Sequence, residues 1–164
     1  MGPGMISTMV GTRTLEPEEW EFWDTYTHAH RLLVREMDRG LQRDCGISKA
    51  EYSVLVTLWR APGDDMRVGE LSESLNWEKS RVSHQLTRME NRGFVERTPH
   101  GADGRRAGIG LTDKGRHAVR SAMLVHAGNI RRFFLDSLTP EQAAAIRAWS
   151  EQLIDHVEPR PTET

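Results

Sequence analysis

The sequence RVGELSESLNWEKSRVSHQLTRMENR, residues 67–92, contains the pattern on which the fold prediction rests. Its first part, 69–75, predicts a short helix with buried leucines four residues apart, and Asn76-Trp77 predicts a tight turn. A second helix is predicted over 78–92, where apolar residues recur at spacings of four and three: Val82, Leu86 and Met89. Two helices joined by a tight turn predict a helix-turn-helix.

The other faces of this second helix are polar and basic, as a helix that enters the major groove of DNA requires. Arginine can donate two hydrogen bonds to guanine, and glutamine can bond to adenine in the same way. Ser80 and Ser83 are of a type that more often contacts phosphate. Arg88 lies one turn beyond His84, so it is either a DNA contact or an ordinary surface residue. The DNA contacts predicted on this helix are Lys79, Ser80, Arg81, Ser83, His84, Gln85 and Arg88.

A β-hairpin is predicted directly after the second helix. Two short strands, 94–98 and 107–111, flank a segment of turn residues that ends in Arg105 and Arg106. A basic hairpin in this position is a wing, and its arginine can reach the minor groove, whose negative potential attracts a guanidinium. The sequence therefore predicts a winged helix-turn-helix over 47–112, with its recognition helix at 78–92 and its wing at 94–111.

Basic residues are concentrated in this part of the chain. The formal net charge of all 164 residues is −2, but residues 79–120 contain ten basic and four acidic residues. That segment therefore carries +6, and the remainder of the chain carries −8. A basic segment on an acidic body is typical of a DNA-binding protein, and an ordinary solvated charged face is the alternative.

Helices are predicted on both sides of the winged helix-turn-helix. The first, 16–44, would be roughly 40 Å long, which is too long to bury its apolar stripe in one small domain, so part of it should pack on another chain. Further helices are predicted at 48–59, where Ser48 and Glu51 form a capping box, at 112–136 and at 140–156. We therefore predict a mainly α fold with a small β-wing and a helical dimerisation region built from the first and last helices. The boundaries are 1–14 for a flexible leader, 15–46 and 113–157 for the dimerisation region, and 158–164 for a flexible tail.

Two groups of residues in the predicted domain form a recognisable signature. The first is RVGELSESL (67–75) followed by EKSRVSHQL (78–86). The second is ERTP (96–99) followed by DGRR (103–106), Leu111-Thr112 and Lys114-Gly115. Together they resemble the MarR (multiple antibiotic resistance regulator) family of winged-helix transcription regulators. The Asp-x-Arg wing with its downstream Leu-Thr is the more specific part, and the resemblance covers about residues 17–156.

This resemblance implies a homodimer in which the first, fifth and sixth helices interlock and two winged domains bind a pseudo-palindromic operator. It also implies that Arg105 enters the minor groove and that Asp103 orients it. Most similar proteins are repressors that a small, often aromatic or phenolic, ligand releases from DNA. Packing in the core or the dimer interface explains the aromatic residues of this chain, and a pocket for such an effector is the alternative. The residues predicted for that pocket are Trp23, His30, Tyr52 and Leu55.

Two positions depart from the family pattern. Trp77 stands where a small aliphatic residue is usual, and Glu78 stands where an aspartate or serine often begins the recognition helix. An acidic Glu78 close to phosphates would weaken DNA binding or form an ion pair with a neighbouring basic side chain, that of Lys79 or Arg81.

The sequence gives little support to other functions. It contains no nucleophile elbow, phosphate-binding glycine loop or paired carboxylates, so we predict no enzyme activity, catalytic residue or cofactor. The single cysteine, Cys45, cannot form an internal disulfide, and its place after the first helix argues against a redox sensor. His28 and His30 lie two residues apart and would not share a helix face, so no metal site is predicted.

Membrane insertion is not predicted either, because no apolar run approaches the ~20 residues that span a bilayer. The expected location is the cytoplasm.

The competing functional class for this fold is a winged helix that binds a protein partner instead of DNA.

Overall fold

The computed structural model describes residues 14–100 and 106–158, apart from the side chains of His100, Arg106 and Ala107. Contacts within the chain divide it after Val34 into two compact units. The first unit contains the N-terminal part of the first helix, and the second contains the rest of that helix and all other described elements.

The predicted fold class, mainly α with a small β-wing, is confirmed. The helices are α1 (Pro17–Cys45), α2 (Lys49–Arg60), α3 (Val68–Leu75), α4 (Lys79–Asn91), α5 (Asp113–Phe133) and α6 (Pro140–Val157). The strands are β1 (Asp65–Arg67), β2 (Val95–His100) and β3 (Arg106–Leu111). Short 3₁₀ turns occupy Pro62–Asp64 and Leu135–Ser137, so the fifth helix ends earlier than the predicted 136.

Side-chain caps set where several helices begin. Ser48 and Glu51 form the predicted capping box of α2: Glu51 N donates to Ser48 Oγ at 3.2 Å, and Ser48 N donates to Glu51 Oε2 at 2.8 Å. Thr112 accepts from Gly115 N at 3.0 Å and caps α5. These caps satisfy backbone donors that the first turn of a helix leaves without a partner, which is why the predicted starts agree with the structure.

The three strands form one antiparallel sheet in the order β1-β3-β2. Ile109 in the central strand pairs with Met66 on one side and with Arg97 on the other. Close approach of α5 to this sheet requires Gly115, because a Cβ there would overlap the carbonyl oxygen of Phe94. The wing is therefore fixed to the start of α5 at its base.

The hydrophobic core lies in the second unit and is formed by the C-terminal part of α1, the connection to α2, helices α2, α3, α4 and α5, and the sheet. The largest fully buried side chains are Leu41, Ile47, Leu55, Leu58, Leu71, Leu86, Met89, Ile109, Val54, Val82 and Val119. The sequence predicts a buried apolar stripe of Val82, Leu86 and Met89 on α4, and all three side chains are fully buried in the structure. At roughly 1.5–3 kcal/mol for each fully buried aliphatic side chain, this cluster is the main source of the domain's stability.

Apolar side chains are exposed in groups on α1 and α6 of the single chain, and α5 exposes Leu124. In the first unit, Trp20, Phe22 and Trp23 of α1 are exposed. The rings of Trp23 and Tyr26 lie 5.9 Å apart, and those of Tyr26 and His30 lie 6.2 Å apart. In the second unit, α6 has no buried residue and exposes one apolar stripe: Trp149, Leu153, Ile154 and Val157.

Glu51 connects the start of α2 to the end of α4. Its side chain is only 4% exposed, and its Oε1 accepts from Arg92 Nη1 at 2.5 Å. The same guanidinium donates through Nη2 to the carbonyl oxygen of Gly46 at 2.9 Å. Burial alone would raise the pKa of Glu51, but hydrogen bonds from Ser48 and from Arg92 outweigh burial and hold this pKa below its usual value.

We predict that Glu51→Gln lowers the free energy of unfolding at pH 7 by about 1–3 kcal/mol. The amide loses the charge-assisted bond to Arg92 and leaves the guanidinium without its counterion. Chemical denaturation with two-state analysis measures this change. Glu90→Gln is a matched control, because it removes a more exposed ion pair with Arg97 and should cost less than about 1 kcal/mol.

Acidification should reduce the difference in the free energy of unfolding between the wild type and Glu51→Gln. The folded-state pKa of Glu51 is lowered, so its contribution is complete above the unfolded-state pKa and is lost as the pH falls through the folded value. A stability difference that stays constant from neutral to acidic pH would contradict an ionic role for Glu51.

Candidate nucleic-acid interface

The outer face of α4 brings together most of the predicted DNA contacts. Its inner face is anchored by Val82, Leu86 and Met89, which are fully buried. A helix held in this way presents its other faces to solvent. The exposed predicted contacts on α4 are Lys79, Ser80, Arg81, Ser83, His84 and Arg88.

Gln85 is different from these residues. It is only 7% exposed, so the expectation that it lies on the outer face is wrong. Gln85 follows Val82 by three residues and precedes Met89 by four, which places it within the same buried helical stripe. No described residue accepts a hydrogen bond from its Nε2. The amide is therefore not presented on the outer face of α4, and the contact of Gln85 with DNA stays a prediction.

The first turn of α4 contains an arginine stacked on a tryptophan. The guanidinium carbon of Arg81 lies 4.0 Å from the centre of the Trp77 ring. Glu78, the N-cap residue, makes no side-chain capping bond, and no ion pair to it occurs among residues 14–100 and 106–158. Sequence reasoning noted Trp77 as a departure but did not find its contact with Arg81.

The turn between α3 and α4 is fixed by its backbone. Asn76 adopts the left-handed conformation with φ of 50°, which asparagine tolerates better than most residues. Trp77 N donates to the carbonyl oxygen of Ser72 at 3.0 Å, and Ser72 Oγ donates to the carbonyl oxygen of Trp77 at 2.6 Å. These bonds define the angle at which α3 supports the recognition helix.

Several cations of the +6 segment have partners within the protein. Arg92 pairs with Glu51, and Arg116 pairs with Asp64 at 3.0 Å. Lys114 Nζ donates to the carbonyl oxygen of Arg92 at 2.6 Å. The net charge of the segment therefore overstates the charge available to a ligand, and the cations left on the outer face of α4 are Lys79, Arg81 and Arg88.

Strands β2 and β3 form the stem of the wing. Arg97 on β2 donates through Nε and Nη2 to the two carboxylate oxygens of Glu90 on α4, at 2.9 and 3.3 Å, and so joins the wing to the recognition helix. Asp103 and Arg105 lie outside the described residues. Arg106 begins β3, where its backbone pairs with His100, and its side chain is not described.

Comparison with known proteins assigns this arrangement to a family. The model of the MarR family matches residues 47–107. The transcriptional regulator HosA of Escherichia coli O127:H6 is 30% identical over 116 residues, which cover 70% of this chain and 84% of HosA. The chain belongs to the MarR family. The crystal structure of AbsC, a MarR family transcriptional regulator from Streptomyces coelicolor, has a TM-score of 0.79 and 33% identity over 91% of this chain and 100% of AbsC.

A second structure from Streptomyces coelicolor contains DNA. Sco3205, a MarR family transcriptional regulator solved in complex with DNA, has a TM-score of 0.79 and 33% identity, and the match covers 91% of this chain and 93% of Sco3205. The present chain is therefore a transcription regulator of the MarR family, and its fold is a DNA-binding fold of regulators, not one of enzymes.

The residues predicted for an effector pocket do not share one environment in this MarR family member. Leu55 is fully buried in the core. Tyr52 is half-buried, and its ring lies 4.8 Å from that of His126 on α5, a residue that sequence reasoning did not select. Trp23 and His30 belong to the first unit and are exposed. A role for these residues in ligand binding stays a prediction.

The described residues show no arrangement typical of a reactive cysteine, a metal site or a membrane span. Cys45 is half-buried; burial raises the pKa of its thiol, and Asp44 raises it further. A protonated thiol is a weak nucleophile. Residues 14–100 and 106–158 contain no group of three or more metal-ligating side chains, and none of their helices is long and apolar enough to cross a membrane.

We predict that Lys79→Gln and Arg88→Gln each reduce the salt dependence of duplex binding. Each phosphate neutralised by a cation adds about 0.9 to the slope of log affinity against log salt concentration. Each variant should therefore lower that slope by about one, in fluorescence anisotropy titrations at four or more salt concentrations. An unchanged slope for Arg88→Gln would identify Arg88 as an ordinary surface residue.

Arg97→Gln is the matched control for this experiment. The carboxylate of Glu90 already accepts hydrogen bonds from Nε and Nη2 of Arg97. The slope of log affinity against log salt concentration should therefore hardly change in Arg97→Gln. A loss of slope as large as that of Arg88→Gln would show that the internal ion pairs do not keep these cations from DNA.

Proposed function

We propose that this MarR family regulator binds a pseudo-palindromic operator as a homodimer, represses transcription from it, and is released by a small aromatic effector. The observation that carries the proposal is the outer face of α4, where Lys79, Arg81 and Arg88 stand exposed on a helix whose opposite face is fully buried. A clamped helix with free cations and hydroxyls has the properties that insertion into the major groove requires.

The exposed stripe of α6 supports the homodimer. Trp149, Leu153 and Val157 recur every four residues, and Ile154 lies beside them, three residues before Val157. An apolar stripe of this kind is normally covered. We propose that a second copy covers it, in a dimerisation region built from 15–46 and 113–157. Two recognition helices related by a two-fold axis would then bind two half-sites, and an occupied operator blocks transcription.

The wing completes the proposed interface. Arg105 is the residue that the family resemblance assigns to the minor groove, with Asp103 orienting it. A guanidinium is attracted there by the strong negative potential between the two sugar-phosphate backbones. Arg106 is proposed as a further contact of the same hairpin.

We predict that selection from a random duplex library enriches an inverted repeat whose half-sites are about one helical turn (~10 bp) apart. Purified full-length protein is used, and light scattering of the same sample gives the mass. Leu153→Glu places a charge on the α6 stripe and should yield a monomer that no longer selects the full repeat.

Ala148→Glu is the matched control, since it introduces the same charge on the opposite face of α6, where Ala148 is exposed. It should remain dimeric and select the same repeat. If the wild type enriches no sequence and binds only weakly in a salt-sensitive manner, the proposed function is wrong and a winged helix that binds a protein partner is favoured.

One polar group near Tyr52, the imidazole of His126, supports the proposal that an effector binds there. His126 Nδ1 is buried and has no hydrogen-bond partner among the described residues. Burial, followed by the charge of Lys49, lowers the pKa of His126, and Asp38 opposes this only in part, so the imidazole is neutral at neutral pH. A neutral imidazole nitrogen beside an aromatic ring can form a hydrogen bond with a phenolic hydroxyl, and small-molecule sites are mostly apolar with a few such polar groups.

We predict that His126→Leu raises the concentration of a phenolic compound needed to release the selected duplex by about tenfold, the effect of one lost buried hydrogen bond. A panel of phenols and aromatic acids is titrated against the labelled duplex. His117→Leu is the control, because His117 is an exposed histidine of the same helix. Equal responses of both variants would exclude His126 from effector binding.

A further inference from the structure

The indole of Trp77 is held in place before any DNA is bound. Its backbone is fixed by two hydrogen bonds to Ser72, at 3.0 and 2.6 Å. Its side chain is half-buried and packs against the hydrophobic core. Trp77 directly precedes the N-cap residue Glu78, a position from which an apolar side chain packs against the first turns of the following helix. The ring is therefore a rigid platform at the start of α4.

Arg81 lies one turn further along α4 and rests on this platform, with its guanidinium carbon 4.0 Å from the ring centre. A guanidinium stacks through its face, while its five N–H donors lie in its plane and point outward. No described residue accepts a hydrogen bond from Arg81. In Arg97, by contrast, Nε and Nη2 are both used by Glu90. The contact with the Trp77 ring thus restrains Arg81, while its N–H donors bond to no described residue.

We propose that Trp77 is a positioning residue for sequence recognition: it holds Arg81 in an orientation suited to donate two hydrogen bonds to a guanine in the major groove. An unrestrained arginine must lose much of its rotamer freedom when it binds a base. A stacked arginine has already lost part of that freedom, so the same contact is more favourable. Residues in the first turn of a recognition helix are those that contact base edges. This inference rests on the proposed function.

A purely structural role for Trp77 makes a different prediction. If the ring only packed against the core, its loss would weaken binding to every duplex equally and independently of Arg81. If the ring positions Arg81, its loss reduces discrimination at one guanine, and the effect disappears once Arg81 is removed. The discriminating quantity is therefore the affinity ratio between the selected operator and the operator with that guanine replaced.

The experiment measures this ratio by competition anisotropy for wild type, Trp77→Leu, Trp77→Phe, Arg81→Ala and the double variant Trp77→Leu/Arg81→Ala. The guanine is the one whose replacement affects wild type but not Arg81→Ala. Trp77→Leu should lower the ratio about three- to tenfold, in the range of an arginine–aromatic stack. Trp77→Phe keeps a weaker aromatic face and should give an intermediate ratio. In the Arg81→Ala background, Trp77→Leu should change nothing further.

Trp59→Leu is the matched control, because the guanidinium of Arg120 lies over the Trp59 ring at 5.1 Å, away from α4. It should leave the ratio unchanged. If Trp77→Leu does not fold, as thermal unfolding reports, the comparison of Trp77→Phe with wild type decides the question. A ratio that equals that of wild type in Trp77→Leu or Trp77→Phe, or one that rises, overturns the inference.

The same data separate this inference from the proposed function. A wild type without any sequence preference overturns both. A wild type that discriminates, together with Trp77 variants that discriminate equally well, overturns only the role of Trp77. Additive losses in the double variant would also overturn it, because additivity means that the two side chains act independently.

Discussion

The ion pair between Glu51 and Arg92 is the constraint on which the rest of the domain depends. A carboxylate that is only 4% exposed is tolerated only when its charge and its lone pairs are matched, and here Ser48 and Arg92 do this together. The same guanidinium reaches the carbonyl oxygen of Gly46. One buried charge therefore fixes the end of α1, the start of α2 and the end of α4 relative to one another, and the recognition helix cannot shift along its axis without breaking it.

The opposite end of α4 is fixed by different means. There the backbone of Trp77 is bonded to Ser72, and the indole packs against the core. Between these two ends, a buried stripe that includes Gln85 holds the helix against α2 and α3. A rigid helix is useful for recognition because a small rotation would move every outward side chain relative to the base edges, and these three restraints oppose such a rotation.

The sequence predicted the parts of this arrangement that depend on local patterns. Caps such as Ser48 and Thr112, and the spacing of Val82, Leu86 and Met89, act within one or two helical turns, so periodicity and residue type were sufficient. Gln85 is the exception, because its polar side chain indicates an outer face while its spacing from Val82 and Met89 places it in the buried stripe. The pair of Glu51 with Arg92 joins residues 41 positions apart, and the stack of Arg81 on Trp77 depends on rotamers. Neither follows from a local pattern.

The ion pairs explain how one helix contributes to both stability and recognition. At its C-terminal end, the charge of Arg92 is used by Glu51, and Glu90 in the last turns is used by Arg97. At its N-terminal end, Lys79 and Arg81 keep their donors available, and the positive end of the helix dipole adds to the attraction for phosphate. Internal pairing thus involves residues at the end of α4 that face the domain and the wing, while Lys79, Arg81 and Arg88 on its outer face have no internal ion pair among the described residues. A net charge counted along the sequence cannot distinguish these two groups, since only the tertiary structure decides which cations are already bound.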